Sequence, residues 1–250
     1  AAQASINGAW TLEAGRGVFE GTHTVDSLAI RGGHLAGAGT LNTGSLAFSG
    51  GAIGWSSELG GGVLNVTGES QFSGGSALTI DYSHTANLGG TATWSAGNGR
   101  INVGSSYTQG GTAYPAAVLN IGAGTTFTDA GAAAANGVKT LGSGGEVNNH
   151  GTYLRQGLGT TVVVGFNNLG TLDVAGGDFV FATGNYMSSS TGLVKVAAGS
   201  TLWAGNTLFN AGNVQNNGTV SLYSTGGFGG VVVAAQASIN GAWTLEAGRG

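Results

Sequence analysis

From Phe166 to Gly184 the chain reads FNNLGTLDVAGGDFVFATG, and its centre, Leu172-Asp173-Val174, sets a polar residue between two apolar ones. Such strict alternation puts the two apolar side chains on one face of a half-buried strand and the polar one on the other. The same triplet recurs as Leu64-Asn65-Val66, Ile101-Asn102-Val103, Leu119-Asn120-Ile121, Val194-Lys195-Val196 and Val220-Ser221-Leu222, at separations of about 18 to 26 residues or two such steps. Glycines bracket the triplets, at Gly170 and Gly176-Gly177 or at Gly192 and Gly199, where a chain turning a tight corner takes a positive φ without a Cβ penalty. No apolar stripe at helical spacing is sustained, and each interior glycine costs a helix about 1 kcal/mol. The expected class is all-β. Propeller blades need about 40 to 50 residues, and sandwich strands pair through hairpins marked roughly every 8 to 12. Rungs of roughly 20 residues fit a parallel β-helix, or β-solenoid, in which each turn hydrogen-bonds to the turns above and below.

Outward from that stretch, AAQASINGAWTLEAGRG stands at residues 1–17 and again, unchanged, at 234–250. The chain is therefore expected to hold one solenoid unit, residues 1–233, and the start of an identical second one, residues 234–250. At the ~4.8 Å spacing of neighbouring strands, roughly 12 rungs would make the unit on the order of 55–60 Å long. A solenoid end exposes unpaired strand edges, and dedicated caps are polar and atypical. Here GGFGGVVVAAQASINGAWTLEAG, from Gly226, runs from apolar strand to apolar strand, so successive copies are expected to stack directly on each other.

Composition narrows the function classes. The chain has 250 residues with 52 Gly, one Pro, no Cys, seven Lys and Arg and eleven Asp and Glu. Collagen is excluded because there is no Gly-X-Y period, and disorder because 41% of the residues are hydrophobic and 8% aromatic. A net charge of -4 with scattered basic residues argues against nucleic acid as a partner. Without cysteine there is no disulfide, thiolate metal site or Cys nucleophile. The apolar runs are strand-sized, so this segment is not expected to insert into a membrane. The opening AAQASINGAW shows no basic and no apolar leader region, and the chain is expected to be a piece of a longer polypeptide.

VNNHGTYLRQGLGTTVVVG from Val147, FNNLGTLDVAGGDFVFATG from Phe166 and VQNNGTVSLYSTGG from Val214 share apolar-x-Asn-x-Gly-Thr-apolar, which the second and third extend by x-apolar where the first has Leu154-Arg155. LAIRGGHLAGAGTLNTGSLAFSGGAIGW, from Leu28 to Trp55, follows GxLxGxGTLxxGxLxxSGGxxxW. Together these stretches resemble the large repetitive bacterial surface proteins of the filamentous adhesin-like and autotransporter-like kind. The resemblance implies a right-handed parallel β-helix, secreted to the cell surface or the extracellular space, acting as a long shaft. The unchanged 17-residue repetition is more regular than a typical adhesin and favours a fibre or sheath, whose partner is the protein itself.

Few residues invite a chemical role. Asn148, Asn149, Asn167, Asn168, Asn216 and Asn217, with Gly151, Gly170 and Gly218 beside them, are expected at rung corners: Asn tolerates left-handed backbone and stacked amides hydrogen-bond along a ladder. A glycan-binding or ice-binding row is the functional alternative, but only Thr22-His23-Thr24 and Thr91-Ala92-Thr93 have the Thr-x-Thr form. Parallel β-helices also host polysaccharide lyases and glycosidases, which cluster carboxylates with Arg or Lys. Arg155, Asp173 and Lys195 would form an outer column of alternating charge if their rungs stack in register, which a solvated salt-bridge ladder explains as well. His23, His34, His84 and His150 lie too far apart for a metal site, and no cofactor motif is present. Most aromatic residues, among them Trp10, Phe48, Phe72, Trp94, Tyr107, Phe127, Phe166, Phe179, Phe181, Trp203 and Phe209, are expected to stack in the core or cap corners, with a surface sugar-binding strip of Trp55, Trp94 and Trp203 as the alternative. The expected function is structural and non-enzymatic, with a carbohydrate-binding module that recognises surface glycans as the first alternative.

Overall fold

A computed structural model describes residues 7–55, 61–95, 97, 99–182, 188–205, 207–210, 213–223, 230–232 and 241–246. Among them there is no α-helix; short parallel strands stack into a β-solenoid whose every turn contributes up to three. The first and second strands of each turn belong to one 18-stranded sheet and the third to an 11-stranded sheet. Two nine-residue strands, Thr22–Ile30 and Thr40–Phe48, run through the first corner without a break and so join the first two columns.

Five of the six strand triplets obey the alternation, and in the sixth, Val220-Ser221-Leu222, Ser221 is buried as well. In Leu172-Asp173-Val174 the outer two residues are buried and Asp173 half-buried, and the strand pairs with Thr152–Arg155 on one side and Leu193–Val196 on the other. Inward side chains form one continuous apolar stack, in which Phe48 lies on Phe72 and Phe72 on Phe127, with ring centroids 6.2 and 5.7 Å apart. Phe127 and Tyr153 stack nearly parallel at 5.2 Å. Each large aromatic removed from water contributes about 1.5–3 kcal/mol, so this stack is the main source of stability.

The length of a turn is set by what its corners carry. Equivalent residues are 19 apart between Asn148 and Asn167, 22 between Asn65 and Asn87, 28 between Asn120 and Asn148 and 33 between Asn87 and Asn120. The longest of these steps contains an antiparallel hairpin, Tyr107–Gln109 with Thr112–Tyr114, whose turn uses Gly110 and Gly111 at φ 58° and 81°. The Ala117 N–H donates to Gly104 O at 2.9 Å, so the hairpin leaves and re-enters the wall at one point. Tyr107, expected in the core or at a corner, stands on this hairpin, stacked at 4.9 Å on Tyr114 and edge-on to Tyr82. Phe209 lies in a described strand, but its side chain is outside the described part.

Glycine serves the corners in two ways. Gly177 and Gly199 take positive φ, 63° and 80°, as expected. Gly151, Gly170, Gly192 and Gly218 do not; a Cβ on Gly170 would sit 2.1 Å from Gly151 O, and one on Gly192 2.1 Å from Gly170 O. At these positions glycine is required by the closeness of consecutive turns, not by backbone conformation.

Candidate functional site

The predicted corner asparagines divide between two positions. Asn148 and Asn167 are not corner residues: they lie mid-strand in the first column and face outward, because the alternation of Glu146–Asn149 and Phe166–Asn168 buries their neighbours. They belong to a longer row made of Asn42, Asn65, Asn87, Asn120, Asn148 and Asn167, register partners turn after turn. Each Nδ2 donates to the Oδ1 of the turn before, at 2.9 Å from Asn65 to Asn42, 2.8 Å at the next two steps, 3.0 Å from Asn148 to Asn120 and 2.9 Å from Asn167 to Asn148. Ser189 Oγ continues the row onto Asn167 Oδ1, and Asn42 Nδ2 ends it on His23 O. The signal was present in the sequence as Asn at the centre of Leu-Asn-Thr, Leu-Asn-Val, Ala-Asn-Leu and Leu-Asn-Ile, four triplets that share one column. Ile101-Asn102-Val103 looks the same but lies in the third column, outside the row.

Asn149 and Asn168 are fully buried at the inner end of the same strands. Asn149 Nδ2 donates to Asn168 Oδ1 and to Thr171 O, both at 2.8 Å, and Asn168 Nδ2 donates to Ser190 Oγ and Leu193 O, both at 3.1 Å. Asn216 donates to Ala242 O and accepts from the Gly218 N–H. These buried amides satisfy carbonyls that the corner frees from the sheet. Asn217 is exposed at its corner, bonded through its backbone N–H to Val196 O. Gly151, Gly170 and Gly218 flank these amides in close contact with the turn before.

The column Arg155, Asp173 and Lys195 is not assembled. Asp173 and Lys195 are register partners, half-buried on the outer face, but Arg155 pairs with Val174 and points inward, 0% exposed. The turn between them is 19 residues, not 18, and a one-residue slip moves a strand side chain to the opposite face.

Arg155 instead joins a buried polar cluster that no sequence pattern announced. Asp129, one turn earlier at the same inward position, lies with its Oδ2 3.7 Å from Arg155 Nε. Lys139 reaches in from the third column and donates to Asp129 Oδ1 at 2.8 Å, with both side chains fully buried. Thr161 and Tyr153 hydroxyls donate to Asp129 Oδ2 at 2.5 and 3.2 Å, and the Gly131 N–H donates to Oδ1 at 3.0 Å. Lys139 Nζ also donates to Trp94 O and Ser95 O and stands 3.7 Å above the Trp94 ring. The Arg155 guanidinium donates to Gln156 O, Leu158 O and Gly159 O, filling a corner where Gly131 and Gly177 leave room: a Cβ on either would be 2.7 Å from a guanidinium nitrogen.

Two cations thus share one carboxylate inside the wall. Burial lowers the Lys139 pKa, opposed by the Asp129 charge and hydrogen bond and aided by Arg155. Burial first, and then the Asp129 charge, push the Tyr153 hydroxyl well above 10.0. Among the described residues, Asp129, Lys139 and Arg155 are all 0% exposed. The cluster is a polar clamp, tying the turns that carry Trp94, Asp129, Lys139, Arg155 and Thr161 to one another.

Trp55, Trp94 and Trp203 do not form one strip. Trp94 is buried over Lys139, while Trp203 is half-buried on the third column, opposite Val180 and Ser221. Trp55 lies edge-on to His34 at 4.1 Å. These two rings, with Thr79, Asp81, Tyr82 and a floor of Gly51, Ala52, Gly54 and Ala77, line an open depression of about 340 Å³ on the third column. Tyr82 and Ser83 beside it hold left-handed φ of 52° and 62°. Among the described residues there is no cluster of three metal-ligating side chains and no helix long and apolar enough to cross a membrane. Comparison of the chain with protein-family models, with curated proteins and with solved structures found no match to any of them.

Proposed function

We propose that this chain is a segment of an extracellular structural protein, a tandem-repeat β-solenoid that builds a stiff shaft in a bacterial surface fibre, sheath or adhesin and catalyses no reaction. The observation that carries this is the seam between copies. The strand Ala242–Glu246, whose sequence repeats that of residues 9–13, pairs in parallel with Thr219–Tyr223, so the start of one copy continues the stack of the copy before it. Trp243 packs against the same apolar core as Trp10 does at the other end. The apolar stack, the outer amide row and the buried clamp all serve turn-to-turn cohesion, which is what a shaft requires.

Chains of one, two and three copies, imaged by electron microscopy, test the proposal. Rods of constant width that lengthen by about 50 Å per copy, ten strand spacings of ~4.8 Å, are expected. Rods that stay one unit long, or widen instead, would refute it. The mass of the denatured polypeptide from its natural source then separates a covalent array, many times 24.3 kDa, from discrete subunits. The depression at Trp55 favours a second reading, a carbohydrate-binding module, because an aromatic wall with a carboxylate and a hydroxyl at hand suits a sugar ring. Glycan capture lost on Trp55→Ala would support it, and no capture from a broad glycan panel would remove it.

A further inference from the structure

The repeated strand occupies two different faces of the solenoid. Ala9–Leu12 stands in the second column, pairing with residues 27–30 in the register Trp10↔Leu28 and Thr11↔Ala29. Its identical counterpart Ala242–Glu246 stands in the third column, in the register Trp243↔Val220 and Thr244↔Ser221. The inside-outside alternation is the same in both places: each Trp is half-buried against the core, and Ala9, Thr11, Ala242 and Thr244 are exposed. What differs is the edge that the strand covers.

We infer that the last turn of one copy offers the third-column edge of Thr219–Tyr223 as the docking edge for the next copy, which therefore begins one face further round the shaft. The count agrees. The third column holds eleven described strands, hence ten intervals, from Arg16–Val18 to Ala242–Glu246, and Ala9–Leu12 lies one face before the first of them. One copy thus advances ten turns and about a third of another. A copy spanning a whole number of turns would return Ala242–Glu246 to the second column, above Val214–Asn216, with Trp243 over Val214 and Thr244 over Gln215.

The inference rests on the tandem-shaft proposal and gives it a geometry. The face that carries the asparagine row in one copy is followed by the next face in the next copy, and three copies, about 150 Å, bring it back. The Tyr107–Tyr114 hairpin and the Trp55 depression wind with it, so a long array presents each of them on all sides.

Engineered disulfides test the register in the 250-residue chain, which has no cysteine of its own. Neighbouring parallel strands hold opposed Cα atoms about 4.8 Å apart, within the range of a disulfide. Three variants are made: Ser221→Cys with Thr244→Cys, Gln215→Cys with Thr244→Cys, and Asp173→Cys with Lys195→Cys as the mid-shaft reference. Mild oxidation, followed by mass spectrometry of proteolytic fragments, reads the links. The expected result is near-complete linkage of 221 to 244 and of 173 to 195, with little between 215 and 244. Linkage of 215 to 244 overturns the inference and leaves the shaft intact. Linkage of 173 to 195 alone also overturns it, since the repeated strand then covers neither edge. Failure of the reference pair overturns the solenoid register itself, and the shaft proposal with it.

Discussion

Replacing Asp129 by Ala removes the only carboxylate among the groups of the buried clamp and leaves Lys139 and Arg155 facing each other's charge in the wall. Breaking a buried ion pair from one side costs about 3–5 kcal/mol, because the stranded charge keeps its desolvation penalty and loses its partner. The loss has a ceiling. Lys139 escapes by shedding its proton, which at pH 7 costs about 4–5 kcal/mol for an ammonium of ordinary pKa, and burial already favours that neutral form. Asp129→Ala is therefore expected to destabilise by about 3–5 kcal/mol at pH 7. In this variant the folded-state pKa of Lys139 falls further below its unfolded value. Between the two values the unfolded chain binds more protons, so stability rises with pH across that window. Adding Lys139→Met should recover about 2 kcal/mol or more, since no ammonium is then stranded. Urea unfolding followed by tryptophan fluorescence measures all three, with Trp94 reporting directly from its place over Lys139. A loss under about 1 kcal/mol for Asp129→Ala, or a double variant no more stable than the single one, would refute the clamp.

Three further outcomes are expected. Tyr153 has its folded-state pKa raised well above 10.0, so its contribution is fully present below that pH and is lost as pH rises through the folded value; alkaline titration of stability should fall less steeply in Tyr153→Phe. Asn87→Asp deletes the donor to Asn65 Oδ1 and sets oxygen against oxygen, costing about 1–3 kcal/mol at neutral pH and less once the new carboxyl is protonated, as seen by thermal melts at pH 7 and pH 3. Gly170→Ala drives a Cβ into the Gly151 carbonyl and should cost roughly 1–3 kcal/mol or more. Gly75→Ala meets nothing within 4 Å and should gain about 0.4–1 kcal/mol, so equal melting temperatures for the two variants would contradict the close-stacking account.

The solenoid was legible because its rule is local: apolar-polar-apolar triplets followed by glycine repeat at intervals that only a coil of short strands accommodates. Turn length was legible only on average, since the hairpin at Tyr107–Tyr114 and the loop near Gly131 lengthen particular turns without disturbing the wall. That uncertainty decided the fate of Arg155. With the step to the next turn off by one residue, a buried side chain reads as an outer one. The clamp was opaque for a second reason. Asp129, Lys139 and Arg155 are charged residues at inward positions, where hydropathy predicts the opposite, and they are brought together from two columns. The asparagine row, by contrast, was written in the triplets and needed only the knowledge of which triplets share a column.

That row has a direction. At every step from Asn65 to Ser189 the donor belongs to the later turn and the acceptor to the earlier one, so the side-chain dipoles add along the shaft instead of cancelling. The solenoid therefore has an electrical sense as well as a chemical one. Two shafts lying side by side with their rows in contact attract when they run in opposite directions and repel when they run together. Within one copy, lateral contact through this face would favour antiparallel neighbours, whereas contact through the other faces leaves their direction free.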